Sequence, residues 1–85
     1  MRARIKVVGL GKRQAGYSEK MKRDYDFLPV SFVFPDDYYQ GFRAATANIS
    51  GSDVDSVGGL VLDKEVEAIF HYGKDFRIIV DALNP

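Results

Sequence analysis

Leu28, Val30, Phe32 and Phe34 recur at every second position of the segment 25–34, with Phe27, Ser31 and Val33 between them. A helix scatters residues spaced by two around its axis. An extended strand gathers them on one side, so this period fixes the segment as a strand with an apolar face. The intervening aromatic and β-branched residues favour the same state. Pro29 has no N–H to give to a ladder, which predicts an edge position or a bulge there.

The same period continues elsewhere. Residues 5–10 (Ile-Lys-Val-Val-Gly-Leu) read as a first strand, and Phe42 to Ser50 alternates with Ala45, Ala47 and Ile49 on one side. Glu65 to Tyr72 places Val66, Ala68, Phe70 and Tyr72 on one face. Gly73-Lys74-Asp75 then supplies a turn, and Phe76 to Leu83 returns, which is a strong hairpin signal. Pro35-Asp36-Asp37 is a turn, and Gly51 to Gly59, rich in Gly, Ser and Asp, is expected to be a loop. Leu60, Val61, Lys64 and Ala68 keep roughly helical spacing, but Gly58-Gly59 and the alternation after Glu65 oppose a helix there. Five short strands joined by turns predict an all-β fold, a small barrel or sandwich formed by residues 1–85 as a single domain.

With 85 residues the chain forms one core and buries only about 60–65% of its unfolded surface, so pairing with a second copy would help it. The absence of cysteine excludes disulfides and thiolate metal sites and suits a reducing cytoplasm. No apolar run approaches the roughly 20 residues of a membrane helix. Residues 1–6 carry charges with no long apolar stretch behind them, so no signal peptide is expected.

Net charge is zero, but it is unevenly spread. Residues 1–23 hold eight basic side chains and one acid, a net +7, and residues 24–85 carry the balancing −7. Between the first two strands, residues 11–27 interleave Lys12, Arg13, Lys20, Lys22 and Arg23 with Tyr17, Tyr25 and Phe27. Cations neutralise phosphates, and flat exposed rings stack unpaired bases. If residues 13–18 pair with 22–27, both project from one ribbon. A plain solvated basic arm is the bland alternative. Phe27 is equally suited to core packing, whereas Tyr17 has no apolar sequence neighbours.

Arg13-Gln14-Ala15-Gly16-Tyr17-Ser18, followed by Lys22-Arg23-Asp24-Tyr25-Asp26-Phe27, resembles the DNA-binding wing of the filamentous-bacteriophage single-stranded-DNA-binding proteins. Phe70-x-x-Gly73 with Val80-Asp81-x-Leu83 resembles that family's dyad hairpin. The tip from Glu19 to Asp24 is slightly longer than the family's and lacks its Gly and Pro. The resemblance implies a five-stranded OB-like barrel with a protruding N-terminal hairpin, assembled as a homodimer. It implies coating of single-stranded DNA without strong sequence preference during phage replication and packaging, with translational repression as a further role. The location would be the host cytoplasm. Residues carried over are Arg13, Tyr17, Lys20, Lys22, Arg23 and Tyr25. Lys74, Phe76 or Tyr72, and Arg77 stand as candidates in the C-terminal hairpin.

Other chemistry finds little support. Gly9, Gly11 and Gly16 do not keep dinucleotide-loop spacing. His71 is the only histidine and no triad accompanies it, so no enzyme is expected. Asp36-Asp37 and Asp53-Val54-Asp55 lack the remaining ligands of a calcium loop, so neither metal nor cofactor is expected. An RNA-binding barrel of cold-shock type and a protein-interaction module remain as alternative readings.

Overall fold

A computed structural model describes residues 1–85, as six strands, one short helix and a 3₁₀ turn. They follow the order β1 (Arg2–Leu10), β2 (Gln14–Ser18), β3 (Arg23–Pro35), β4 (Phe42–Ser50), α1 (Gly51–Ser56), β5 (Glu65–Tyr72) and β6 (Ile78–Asn84). All pairings are antiparallel, and the sheet curls into a half-barrel. The fold is thus the small all-β barrel that the alternation demands. Strand positions agree with the sequence reading, but the outgoing arm of the hairpin is a strand of its own, which raises the count from five to six.

β3 organises the sheet. β4 runs along one side of it from Phe27 to Pro35. On its other side β2 covers Arg23–Phe27 and β1 covers Val30–Val33. β1 and β2 therefore form one broken arm lying against β3. The arm carries two irregularities. One falls between Val7 and Gly9. The other follows from the register, because the arm takes four steps from Leu10 to Gln14 while β3 takes three from Val30 to Phe27. Pro29 faces this second break. Its carbonyl accepts from the Gly11 N–H at 2.8 Å, and its nitrogen points to the same side, where the ladder is already interrupted. Pro29 is thus central in the sheet rather than at an edge, and of the two expected settings it is the bulge that the one extra residue of the facing arm supplies.

The core forms where the sequence pattern places it. Leu28, Val30, Phe32 and Phe34 of β3 are buried with Ile5, Val7, Ala47, Ile49, Val66, Ala68 and Phe70. Phe34 bridges two rings, with centroids 6.0 Å from Phe32 and 5.6 Å from Phe70. β1 pairs with β5, and β5 with β6, which closes the layer behind these rings. β4 approaches β6 without a hydrogen-bonded ladder, so the barrel stays open along that seam.

The segment expected to be a loop after Ser50 instead begins with α1. The Ser50 hydroxyl accepts from the Asp53 N–H at 3.3 Å, a helix start signalled by Ser followed three residues later by an acid. Val54, Val57 and Leu60 then close one end of the core. Lys64 Nζ donates to the Val57 and Gly59 carbonyls at 2.6 and 2.7 Å, satisfying groups that the short helix leaves open. Phe76, expected to begin the last strand, lies instead in the turn, with φ of 59°. No helix is long and apolar enough to cross a membrane.

Phe32 is fully enclosed, so Phe32→Ala should cost about 3–5 kcal/mol with the urea m-value unchanged. Val61→Ala, at a side chain 63% exposed, should stay within about 0.5 kcal/mol. Equal losses at both positions in urea unfolding would contradict the core described here.

Candidate nucleic-acid interface

The wing is the distal half of the long hairpin. Gln14 pairs with Phe27, Ala15 with Asp26, Gly16 with Tyr25, Tyr17 with Asp24 and Ser18 with Arg23, and residues 19–22 turn at the tip. The ribbon expected from the sequence is therefore present. β2 has no partner but β3, so one edge of the wing stands open. At the tip the Met21 N–H donates to the Ser18 hydroxyl, and Lys22 takes a left-handed conformation with φ of 52°.

Residues directly opposite in an antiparallel pair share a face. Arg23, Tyr25 and Phe27 therefore lie on one face with Gln14, Gly16 and Ser18, while Tyr17 lies on the other with Ala15, Asp24 and Asp26. The two tyrosines are on one ribbon but on opposite faces. The Tyr25 face carries no acid. Tyr17, the more exposed ring at 58%, is paired directly with Asp24. Tyr25 lies across Gly16. A Cβ at Gly16 would come within 3.0 Å of the Tyr25 hydroxyl, so the missing side chain leaves room for the ring to lie over the strand. Phe27 is half-buried next to it, its ring centroid 6.1 Å from that of Tyr25.

The same face continues onto the barrel. Period two along β3 carries it from Tyr25 and Phe27 through Pro29 to Ser31 and Val33. Lys6, paired with Val33, shares it, and so do Arg4 and Arg2 along β1. The sequence reading did not select these three cations, although their own alternation with Ile5 and Val7 would have shown their common side. Each has a neighbour. Arg2 lies 3.9 Å from Glu67 and Lys6 3.9 Å from Asp63, while Arg4 reaches the Pro85 carbonyl oxygen.

Unpaired cations lie in and beside the wing, where Glu19 at the tip is an unpaired acid, and also in the C-terminal hairpin, at Lys74 and Arg77. Lys12, Lys20, Lys22 and Arg23 are exposed and make no ion pair. Arg13 differs. Its Nε and Nη2 donate to Asp26 at 2.8 Å each, and its Nη1 and Nη2 donate to Asp55 of α1 at 2.9 and 3.2 Å. These hydrogen bonds hold the guanidinium firmly protonated and draw both carboxyls below their ordinary value of 3.8. The segregation of charge along the sequence is therefore softened in space. Asp24 and Asp26 lie within the wing, and β1 runs beside Glu65 and Glu67 of β5.

Lys74, Phe76 and Arg77 lie elsewhere. β3 has 13 residues, about 40 Å of extended chain, and the C-terminal hairpin packs near its far end. There, Phe76 and Tyr72 join Tyr38, Tyr39, Arg43 and Asp36 around a cleft of about 520 Å³. The Arg43 guanidinium lies 5.2 Å from the Tyr72 ring centroid, donates to its hydroxyl at 2.9 Å, and pairs with Asp36 at 3.6 Å. The Tyr38-Tyr39 pair in the β3–β4 turn was not singled out from the sequence. Arg77 lines the open seam between β4 and β6. Within one chain, then, the sequence-selected residues are divided: the wing group lies at one end, Phe76 at the other, and Arg77 on the seam between them. His71 pairs with Asp81 at 2.7 Å on the surface, and no group of acids and histidines is arranged to hold a metal ion.

Comparison with protein-family models, with curated proteins and with solved structures finds no match.

Because the Asp26 and Asp55 carboxyls titrate below 3.8 in the folded chain, their contribution to stability is complete above that pH. It is lost as pH falls through the lower folded values. Carboxyl carbon shifts should give midpoints below 3.8 for both, and R13A should move both upward. Unchanged midpoints in R13A would show that the guanidinium is not their partner in solution.

Proposed function

We propose that the protein binds single-stranded DNA through the wing, without strong sequence preference and without catalysing a reaction. The observation that carries this reading is the acid-free wing face, where Tyr25 and Phe27 lie beside unpaired Arg23 and near the free lysines of the tip. Stacking on such rings is worth about 1–3 kcal/mol per base and tolerates any sequence, because every base has a flat face. Phosphate neutralisation by Lys12, Lys20, Lys22 and Arg23 supplies the remaining affinity. The resemblance of residues 13–27 to the phage wing supports the same ligand and a role in coating replicating or packaged strands.

Anisotropy with labelled oligo-dT should show binding that weakens as salt rises. K22A and R23A should each lower the slope of log K against log salt by about 0.7. Y25A should weaken binding by about 1–3 kcal/mol and Y17A by less, because Tyr17 faces Asp24. Salt-independent binding, or none, would defeat the proposal. Tighter binding to RNA of the same length would move the reading to the cold-shock type.

The aromatic end favours a role in protein association. Tyr38, Tyr39, Phe42 and Phe76 are all exposed there, and Phe76 is held in a left-handed conformation that is unfavourable for a bulky residue. We propose that this end joins two copies into a homodimer, as the resemblance of the C-terminal hairpin implies. Sedimentation should give twice the chain mass, reduced to the monomer by Y38A/F76A. If that double change abolished activity while Y25A/K22A left it intact, a protein-interaction module would be the better reading.

A further inference from the structure

We propose that Arg13, Asp26 and Asp55, seated over Gly51, form a clasp that holds the wing in its binding posture, so that Arg13 positions the wing instead of neutralising a phosphate. The inference rests on the single-stranded-DNA reading for the posture's purpose, and on geometry alone for the clasp.

Four features of the chain converge on it. Arg13 lies in the interruption between β1 and β2, where the Gly11–Pro29 bond is the one backbone tie from arm to β3 and the wing is carried onward by β3 alone. Its planar fork takes one carboxylate from the wing and one from the body, with all four contacts between 2.8 and 3.2 Å. Asp55 sits in the second half of α1, where an acid opposes the helix dipole, and the helix has no basic residue of its own in that turn. Finally, α1 begins with Gly51, and a Cβ there would overlap Asp26 Oδ2 and Arg13 Nη2. A helix gains from alanine over glycine, so the bare position is explained by the groups that lie over it. The lowered carboxyl pKa values agree with this arrangement.

The clasp predicts a sign opposite to that of plain electrostatics. D55N removes a negative charge beside a polyanion site, which by charge alone should strengthen DNA binding. Through the clasp it should weaken binding roughly three- to tenfold, because a loosened wing must be ordered when it binds. G51A changes no charge and leaves the fold intact, since only flexible side-chain ends must move, yet it should weaken binding to a similar degree. R13A removes the fork and the charge together, yet it should weaken binding with the salt slope unchanged, because no phosphate contact is lost with it. Amide exchange at residues 14–18, measured without DNA, should quicken in all three variants while the core strands stay protected. Unchanged wing exchange in all three would overturn the clasp whether or not DNA binds. So would tighter DNA binding by D55N, or a salt slope lowered by about 0.7 in R13A. If wild type binds no DNA but wing exchange quickens as stated, the clasp stands and the functional reading falls.

Discussion

A strand has only two faces, and in β3 one of them is fully committed. Leu28, Val30, Phe32 and Phe34 must point inward to build the core of an 85-residue chain. Their phase then dictates the rest. Tyr25 and Phe27, an odd number of residues away, are forced onto the outer face, as are Pro29, Ser31 and Val33. The burial that stabilises the barrel thus also decides which side of the wing bears its rings. This choice of side needs no separate device, because the ribbon and the barrel share one unbroken strand, and only the angle of the wing is left to the clasp.

Most of the fold was legible for this reason. Period two is a local signal, and it located β3, β4 and β5 with their inner faces. The misreadings occurred where local signals are short or are overridden from a distance. α1 spans six residues between glycines, too few for helical periodicity to emerge, and its start is marked only by Ser50 and Asp53. Phe76 has strong strand propensity, yet the turn places it in the left-handed region. The missing donor of Pro29 allowed either an edge or a bulge, and only the pairing partner decides between them: the extra residue in the facing arm meets the need within the sheet.

The candidate site was legible in composition but not in space. Residue types identified the wing, and the strand pairing then divided them. Arg13 belongs to the cationic segment by sequence, but in the fold it is engaged by Asp26 and by Asp55, the latter 42 residues away. That contact has no signature along the chain. The faces of Tyr17 and Tyr25 depend on the pairing register, which a sequence read without its partner strand leaves open. The Tyr38-Tyr39 turn meets the C-terminal hairpin only because β3 is long enough to carry the chain to the far end.

The two interruptions in the β1–β2 arm give the wing an unusual dependence on chain length. Each offsets the arm against β3 by one residue, so the side on which an arm residue emerges depends on how many residues precede it as well as on its type. Replacing a side chain between Gly9 and Arg13 alters one position. With the pairing to β3 otherwise kept, removing or adding a residue there inverts the whole outgoing strand: removal carries Tyr17 to the place of Gly16, under the Tyr25 ring, and addition carries it to the place of Ser18, opposite Arg23. Across this stretch of the chain, spacing is a stricter requirement than residue identity.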